Sequence, residues 1–171
     1  IELCLGRQLT SAMLVAHGEL AHRVAKMRRK FAQTYGFVVP EIKLSDDLSL
    51  PPKAYAIKIH GTLAARADLR LGDVMVIAGE RPAPDVPHEA VKEPAFGLDA
   101  FWVPDMFSAE LRAHGHNPVD AMSVMLTHLS EVVRGNLAHL LSYRDLRAIT
   151  DRVEPEYKRL LEEVIPSLMS Y

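Results

Sequence analysis

The chain of 171 residues has a single cysteine, no long apolar run and almost no charge imbalance. Cys4 has no second cysteine to pair with, so an intrachain disulfide is excluded and a reducing compartment is expected. No stretch of about 18 or more apolar residues occurs, which excludes a bilayer-spanning helix in this sequence. With 20 Lys and Arg against 22 Asp and Glu, the chain has no excess of positive charge that would attract nucleic acid or an anionic membrane.

The sequence also lacks the motifs of common nucleotide and metal sites. It contains no Gly-x-Gly-x-x-Gly fingerprint, no phosphate-binding Gly-Lys-Ser/Thr loop and no His-Glu-x-x-His motif. Residues 1–9 have neither the basic start nor the apolar segment of a signal peptide. His114 and His116 have a ligand-like spacing, but no cysteine pair accompanies them, and we expect a solvated turn there.

Other reactive side chains have ordinary explanations. His128 and Glu131 have the spacing of a proton-transfer pair on a helix, although hydrogen bonding at the helix surface is expected. Cys4 as a nucleophile would need a neighbouring base, so a small residue in a strand is the simpler interpretation. The acidic pairs 46–47 and 162–163 lack the ligand pattern of a Ca²⁺ or Mg²⁺ site. The sequence therefore predicts no catalytic residue, no metal site and no cofactor.

Hydrophobic periodicity predicts strands and helices along the whole chain. Leu20, Val24, Met27 and Phe31 recur every three or four residues, which predicts a helix over about 18–35 that ends at Gly36. The basic residues of this helix lie mostly off that stripe and are expected to face solvent. Strands are predicted at 1–5, 55–60 and 73–78, with extended structure around 42–50 interrupted at 45–47 and a proline-rich loop at 79–87.

The second half of the sequence favours helices. We expect a short helix at 107–113, a long amphipathic helix over 120–141, and two more helices at 145–153 and 155–163. Gly135 inside the long helix costs about 1 kcal/mol relative to Ala. The predicted fold class is therefore α+β, with the helices concentrated at the end.

Residues 93–104 concentrate two Phe, the only Trp, two Pro and one Gly. Pro94 favours extended backbone at Glu93, and Gly97 permits a sharp turn directly after Phe96. Burial of all three aromatic rings, including Phe101 and Trp102, is the ordinary expectation. A ring on such a corner, however, can remain outside the core.

Several segments together resemble one known family. The resemblance covers nearly the whole chain in order, and it is carried by residues 93–103 (EPAFGLDAFWV), 29–33 (RKFAQ), 36–40 (GFVVP), 46–48 (DDL), 127–133 (THLSEVV) and the helical pattern of 145–161. These segments are similar to the cytoplasmic domain of the flagellar type III export-gate proteins, in the flagella/HR/invasion protein export pore family.

The resemblance implies a domain plan. It predicts a discontinuous α/β first subdomain at residues 1–71, continued by 121–140, and a small second subdomain inserted at 72–120. Residues 141–171 correspond to the beginning of a helical third subdomain. The family also carries an N-terminal membrane portion, so we expect this chain to be part of a longer protein at the cytoplasmic face of the bacterial inner membrane.

The resemblance further implies a non-catalytic docking function. In the family, export chaperones loaded with their substrates bind a hydrophobic dimple between the first two subdomains, and its residues carry over to Glu93, Phe96 and Thr127. Glu93 replaces the more usual Asp and is one methylene longer. Other export components and a nonameric ring of copies are further expected partners, with neither nucleic acid nor membrane bound by these residues.

Two other functions remain open at this point. One is the equivalent domain of a virulence-type injectisome gate, although the Pro-Ala-Phe-Gly-Leu segment (94–98) favours the flagellar branch. The other is a small enzyme of unknown chemistry, which would need convergent polar groups with perturbed pKa values in one deep pocket.

Overall fold

The computed structural model describes residues 1–14 and 18–140, and in this part of the chain two four-stranded sheets are joined by helices. The first sheet has the order β2-β1-β3-β4, with β1 (Glu2–Leu5), β2 (Lys43–Asp46), β3 (Ala54–Ile59) and β4 (Thr62–Asp68). Strand β1 is parallel to β2 and antiparallel to β3. The mixture of helices and strands confirms the predicted α+β class.

Strands β3 and β4 form a hairpin, of which the sequence analysis predicted the first strand and the bend but not the second strand. The turn uses His60 and Gly61, both with positive φ (51° and 78°), which matches the twist that a two-residue hairpin loop requires. The bend at Gly61 was predicted, whereas β4 was not. Its sequence TLAARAD has few β-branched or large apolar residues, and this edge strand is mostly exposed, so it has no clear apolar periodicity.

The second sheet is antiparallel throughout and has the order β6-β7-β5-β8. Its strands are β5 (Asp73–Ile77), β6 (Glu89–Lys92), β7 (Asp99–Pro104) and β8 (Val119–Asp120). The predicted proline-rich loop lies between β5 and β6. Strand β6 was not predicted because it has only four residues, three of them exposed or charged at the surface.

Helices connect and cover the two sheets. They are α1 (Arg7–Leu9), which continues as a π-helical segment (Thr10–Leu14), α2 (Glu19–Tyr35), α3 (Ser108–Ala113), α4 (Ala121–Gly135) and α5 (Leu137–Leu140). Helix α2 ends as predicted, because Gly36 adopts a φ of 74° and donates its N–H to Ala32 O at 2.8 Å. Within the described residues, no helix is both long and apolar enough to cross a bilayer.

The long helix predicted over 120–141 is two helices instead. Asn136 interrupts it by donating its backbone N–H to Val133 O at 3.1 Å and its side-chain Nδ2 to Val132 O at 2.7 Å. These bonds take up carbonyl groups that a continuing helix would have used. The helices predicted at 145–153 and 155–163, like the acidic pair 162–163, lie outside the described residues.

One apolar core connects both sheets to α2 and α4. It contains buried side chains from β1 and β3 (Leu3, Leu5, Tyr55, Ile57), from α2 (Leu20, Val24, Phe31), from α4 (Met125, Leu129, Val133) and from the second sheet (Met75, Ala100, Trp102). A smaller cluster of Val74, Val76, Val103 and Leu111 lies between the other face of that sheet and α3. Alternate residues of β5 and β7 therefore contribute to different clusters, as the two-residue period of a strand requires.

Candidate functional site

An open groove of about 580 Å³ lies between helices α2 and α4, beside the loop that joins β6 to β7. We call it the α2–α4 groove. Met27 and Phe31 of α2 and Leu126 of α4 supply its apolar lining, and the last two of these are buried core residues. Phe96 and Thr127 line the same groove, so the fold brings together two of the three residues carried over by resemblance.

The loop that carries Phe96 is closed by backbone hydrogen bonds. Residues 93–98, here called the Phe96 loop, connect the last pair of the β6–β7 ladder, Lys92 and Asp99, whose side chains form an ion pair. Glu93 N–H donates to Leu98 O at 2.8 Å, and Gly97 N–H donates to Glu93 O at 2.8 Å. Gly97 has a φ of 70°, a conformation that residues with a Cβ atom rarely adopt.

Phe96 is 60% exposed although it is a large aromatic residue. The other two aromatic residues of the segment behave differently, since Trp102 is 4% exposed in the main core and Phe101 is half-buried against His88. Because the loop satisfies its backbone without the ring, Phe96 is not required to pack inward. An exposed aromatic at the edge of an apolar groove is typical of a binding anchor.

Thr127 presents a restricted chemistry to the groove. Its hydroxyl donates to Ser123 O, one helical turn back, at 2.8 Å. The hydroxyl proton is therefore used inside α4, and a bound group meets a methyl and an acceptor oxygen but no donor.

Glu93 occupies a different position from the other two predicted residues. It is 6% exposed and does not line the groove. Its Oε1 accepts the N–H of Ala95 at 2.7 Å and its Oε2 accepts the N–H of Phe96 at 2.8 Å. The carboxylate thus bonds to the backbone of the loop whose tip carries the exposed ring. Its part in partner binding stays a prediction.

Basic residues of α2 form one wall of the groove. Lys26 and Lys30 are exposed there, one helical turn apart, and neither has an ion pair within residues 1–14 and 18–140. Arg23 is already engaged, since it contacts Asp120 at 3.2 Å and also donates to Ser123. The two lysines therefore place positive charge beside the apolar lining.

A buried polar pair that sequence reasoning missed lies behind the Phe96 loop. The Tyr55 hydroxyl lies 2.6 Å from Nδ1 of His128, with the rings edge to face. Burial and the nearby Glu93 carboxylate raise the pKa of Tyr55, whereas burial lowers the pKa of His128 despite the opposing effect of Glu93. Both groups are therefore uncharged, and the tautomer of the imidazole sets which of them donates in this hydrogen bond. The two residues are 73 positions apart, so no local pattern could have paired them.

This pair corrects the expectation for His128, whereas Glu131 forms the expected hydrogen bond at the helix surface. His128 is buried against Tyr55 and does not form surface hydrogen bonds, while Glu131 accepts from Arg134 on the same helix. The described structure therefore does not join the two residues as a proton-transfer pair. Helical spacing alone misled here, because α4 turns His128 toward the core and Glu131 toward the surface.

The remaining reactive residues occupy structural positions. Cys4 is buried in β1, where burial raises the pKa of its thiol, and Ser45 Oγ lies 3.6 Å from its sulfur. Asp47 caps a turn by accepting from Ser49 N–H at 2.9 Å, and its neighbour Asp46 accepts from Thr10 Oγ1 at 3.1 Å. Asp47 lies in the predicted interruption of the extended structure, whereas Asp46 still belongs to β2, because Lys43–Asp46 pair with β1.

The two histidines at 114 and 116 lie beside a second cavity of about 480 Å³ next to the proline-rich loop. His114 donates from Nδ1 to Glu110 O at 2.8 Å, which closes the end of α3. Across the described part of the chain, no three His, Cys, Asp or Glu side chains converge in a way that holds a metal ion.

Comparison with known proteins decides the family. The model of the FHIPEP family matches residues 1–171. The chain belongs to the FHIPEP family. This confirms the family that the segments at 29–33, 93–103 and 127–133 indicated.

Named relatives of this FHIPEP chain are flagellar. The chain is 33% identical over 152 residues to the flagellar biosynthesis protein FlhA of Caulobacter vibrioides, which covers 89% of the chain. It is 31% identical over 153 residues to FlhA of Escherichia coli K12, covering 90% of the chain. The chain spans 22% of the length of each of these two proteins.

Solved structures share the fold of this FHIPEP chain at lower identity. The Chlamydia pneumoniae CdsV protein matches with a TM-score of 0.75 and 21% identity over 96% of this chain and 46% of that one. The nonameric EPEC SctV-C matches with a TM-score of 0.61 and 15% identity over 95% of this chain and 47% of that one. CdsV in complex with CdsO matches with a TM-score of 0.76 and 22% identity over 96% of this chain and 53% of that one. At these identities the likeness shows a common fold.

Proposed function

We propose that this chain is part of the cytoplasmic docking platform of a flagellar type III protein export gate. The α2–α4 groove receives an export chaperone loaded with its substrate, and Phe96 and Thr127 contact it. The observation that carries the proposal is the Phe96 ring, which is 60% exposed on a hydrogen-bonded loop beside an apolar groove. Family membership and flagellar relatives at 31–33% identity support the same role.

The chemistry of the groove favours one kind of occupant. An amphipathic helix fits a shallow apolar channel between two helices, with an apolar side chain stacked on Phe96. Lys26 and Lys30 add positive charge along one wall, so the complementary helix carries carboxylates beside its apolar face. We therefore take the bound segment to be an acidic amphipathic helix presented by the loaded chaperone.

The platform is not an enzyme in this proposal. Its groove is open and apolar, its Tyr55–His128 pair is buried behind the loop, and Cys4 is enclosed in β1. Binding through one exposed aromatic requires no proton transfer. In this proposal the two subdomains implied by resemblance, 1–71 with 121–140 and 72–120, stay a prediction, and the dimple between them corresponds to the α2–α4 groove, which is supported by Phe96 lining that groove together with α2 and α4.

The same proposal covers location and assembly. The whole protein is placed at the inner membrane with this part on its cytoplasmic face. Ring assembly of copies and contact with other export components are part of the proposal, supported by related folds solved as the nonameric SctV-C and as the CdsV–CdsO complex. The equivalent domain of a virulence-type injectisome is the second candidate, and its supporting observation is the fold shared with SctV-C and with the EscV cytosolic domain from the type III secretion system.

The decisive experiment titrates this chain with flagellar export chaperones, each alone and loaded with its substrate. Phe96→Ala is expected to weaken binding of the loaded complex by about 2 kcal/mol or more, or about 30-fold, because a central interface aromatic is removed. Leu48→Ala is the matched control, since Leu48 is also an exposed apolar residue but does not line the groove.

Unchanged affinity in a folded Phe96→Ala variant would contradict the assignment of the groove. Circular dichroism and the fluorescence of Trp102, the only tryptophan, establish that each variant is folded. Tighter binding of an injectisome chaperone than of a flagellar one would favour the second candidate.

A further inference from the structure

We propose that Glu93 is a positioning residue, whose carboxylate clamps the Phe96 loop and keeps the Phe96 ring exposed beside the α2–α4 groove. The inference rests on the proposed function, since the ring matters as a docking group. It assigns to Glu93 a role different from direct contact with the partner.

The geometry of the carboxylate supports a clamp. Each oxygen accepts one backbone N–H, from Ala95 at 2.7 Å and from Phe96 at 2.8 Å. These distances are typical of charge-assisted hydrogen bonds, which are stronger than neutral ones. Glu93 as a residue is 6% exposed and is not among the residues that line the groove, so little of it is available to a bound helix.

The clamp explains why an apolar ring remains in solvent. Phe96 stands next to a groove whose lining includes Met27 and Leu126, and folding into it would remove apolar surface from water. The bond from Phe96 N–H to Glu93 Oε2 fixes the backbone at the residue that carries the ring. Together with the bonds of Glu93 N–H and Gly97 N–H, it holds the loop in one shape before any partner arrives.

The clamp lies near the buried Tyr55–His128 pair. The Glu93 carboxylate is close enough to Tyr55 and His128 to influence the ionisation of both. These residues belong to β3 and α4, which are part of the main core and the groove wall. The carboxylate that clamps the Phe96 loop therefore lies near the elements that form the rest of the site.

Amide hydrogen exchange in the free chain tests the clamp itself. The N–H groups of Ala95 and Phe96 are expected to be protected in the wild type. Glu93→Gln keeps a single acceptor oxygen, so at least one of these amides exchanges about tenfold faster or more, and Glu93→Ala releases both. Glu93→Asp keeps protection, because an aspartate accepts readily from N–H groups two and three residues ahead.

Binding of the loaded flagellar chaperone tests the consequence for docking. Affinity is expected to follow the exchange data, with Glu93→Asp near the wild type, Glu93→Gln lower and Glu93→Ala lowest, while the salt dependence of binding stays constant. Glu80→Gln is the matched control, because it removes an exposed carboxylate from the 79–87 loop. It is expected to change neither the exchange of Ala95 and Phe96 nor the affinity.

Each alternative has a separate signature. A direct ion pair between Glu93 and the partner would reduce affinity equally in Gln and Ala variants, flatten the salt dependence and leave both amides protected, which would overturn the positioning role. Unprotected amides in the wild type would overturn the clamp. If the wild type binds no loaded chaperone while both amides are protected, the proposed docking function fails and the inferred role for Glu93 in docking fails with it, although the clamp stands as a local structure.

Discussion

Single residues in this structure separate two roles that the sequence had grouped together. Phe96 and Thr127 line the groove, whereas Glu93 bonds to the backbone of the loop. Tyr55 and His128 form a further polar pair that the sequence did not indicate. Buried polar groups of this kind stabilise a fold only while both partners stay in the right protonation state.

His128 makes the stability of the chain depend on pH. Burial lowers its pKa in the folded state below the ordinary value of about 6.5. As the pH falls through that value, the His128 imidazole therefore binds a proton in the unfolded chain but stays neutral in the native chain. We expect the free energy of unfolding to be highest above pH 6.5 or so and to decrease below it, by at most about 1.4 kcal/mol per pH unit for this one group.

Urea unfolding between pH 8 and pH 5 or so measures this dependence. His128→Gln is expected to show a shallower decrease below about pH 6.5, because the replaced side chain cannot be protonated. His22→Gln is the matched control, since His22 is exposed on α2. Equal slopes for the wild type and His128→Gln would contradict the assignment.

At the scale of elements, α2 and α4 define the groove; α2 places positive charge along one wall, and Glu131 of α4, which also lines the groove, is paired with Arg134. Helix α2 was predicted from its apolar stripe, and its basic residues were expected to be solvated. Lys26 and Lys30 are indeed exposed, but they also line the groove. A solvated helix face and a docking wall can therefore be the same surface.

The charge of this wall leads to a prediction about salt. Binding of the loaded chaperone is expected to weaken as salt is raised, because exposed charge attraction is screened over about 10 Å at 0.1 M. The double variant Lys26→Glu with Lys30→Glu should lose about tenfold in affinity and most of that salt dependence. The same reversal at Lys53 and Arg66, exposed residues outside the groove, should leave binding within about threefold of the wild type. If the double variant kept the salt dependence of the wild type, the electrostatic attraction would have to come from residues other than Lys26 and Lys30.

At the scale of the whole molecule, the two sheets share a core. Met75 and Trp102, opposite each other on β5 and β7, belong to the same apolar cluster as Leu3, Ile57 and Leu129. Separate unfolding of the second sheet would expose that common surface on both sides. The described part of the chain is therefore expected to unfold cooperatively.

Two spectroscopic probes test this expectation. Trp102 fluorescence reports on the second sheet, and far-ultraviolet circular dichroism reports on all helices and strands. The urea midpoints reported by the two probes should coincide in the wild type. Met75→Ala should shift both midpoints together to lower urea, because it reduces the free energy of unfolding by about 2–4 kcal/mol. Phe101→Leu, at a half-buried position on the other face of β7, is the control with a smaller effect. An earlier fluorescence transition would show that the second sheet unfolds alone.

Local sequence patterns were sufficient for the elements whose physics is local. The apolar stripe and terminal glycine of α2, the strand around Tyr55, the proline-rich loop at 79–87 and the turn at Gly97 all depend on neighbours within a few residues. The family could also be identified from short segments, because their order and spacing are specific. For the site, Phe96 and Thr127 were named by resemblance and are found in one groove.

The rest depended on contacts between distant parts of the chain. Strand β4 exists because β3 pairs with it, and its own residues have weak strand preference. The pairing of Tyr55 with His128, the burial of Glu93 and the exposure of Phe96 are outcomes of packing between sheets, α4 and a loop. Burial and pKa depend on which surfaces meet in three dimensions, and a pattern of residues along the chain does not contain that information.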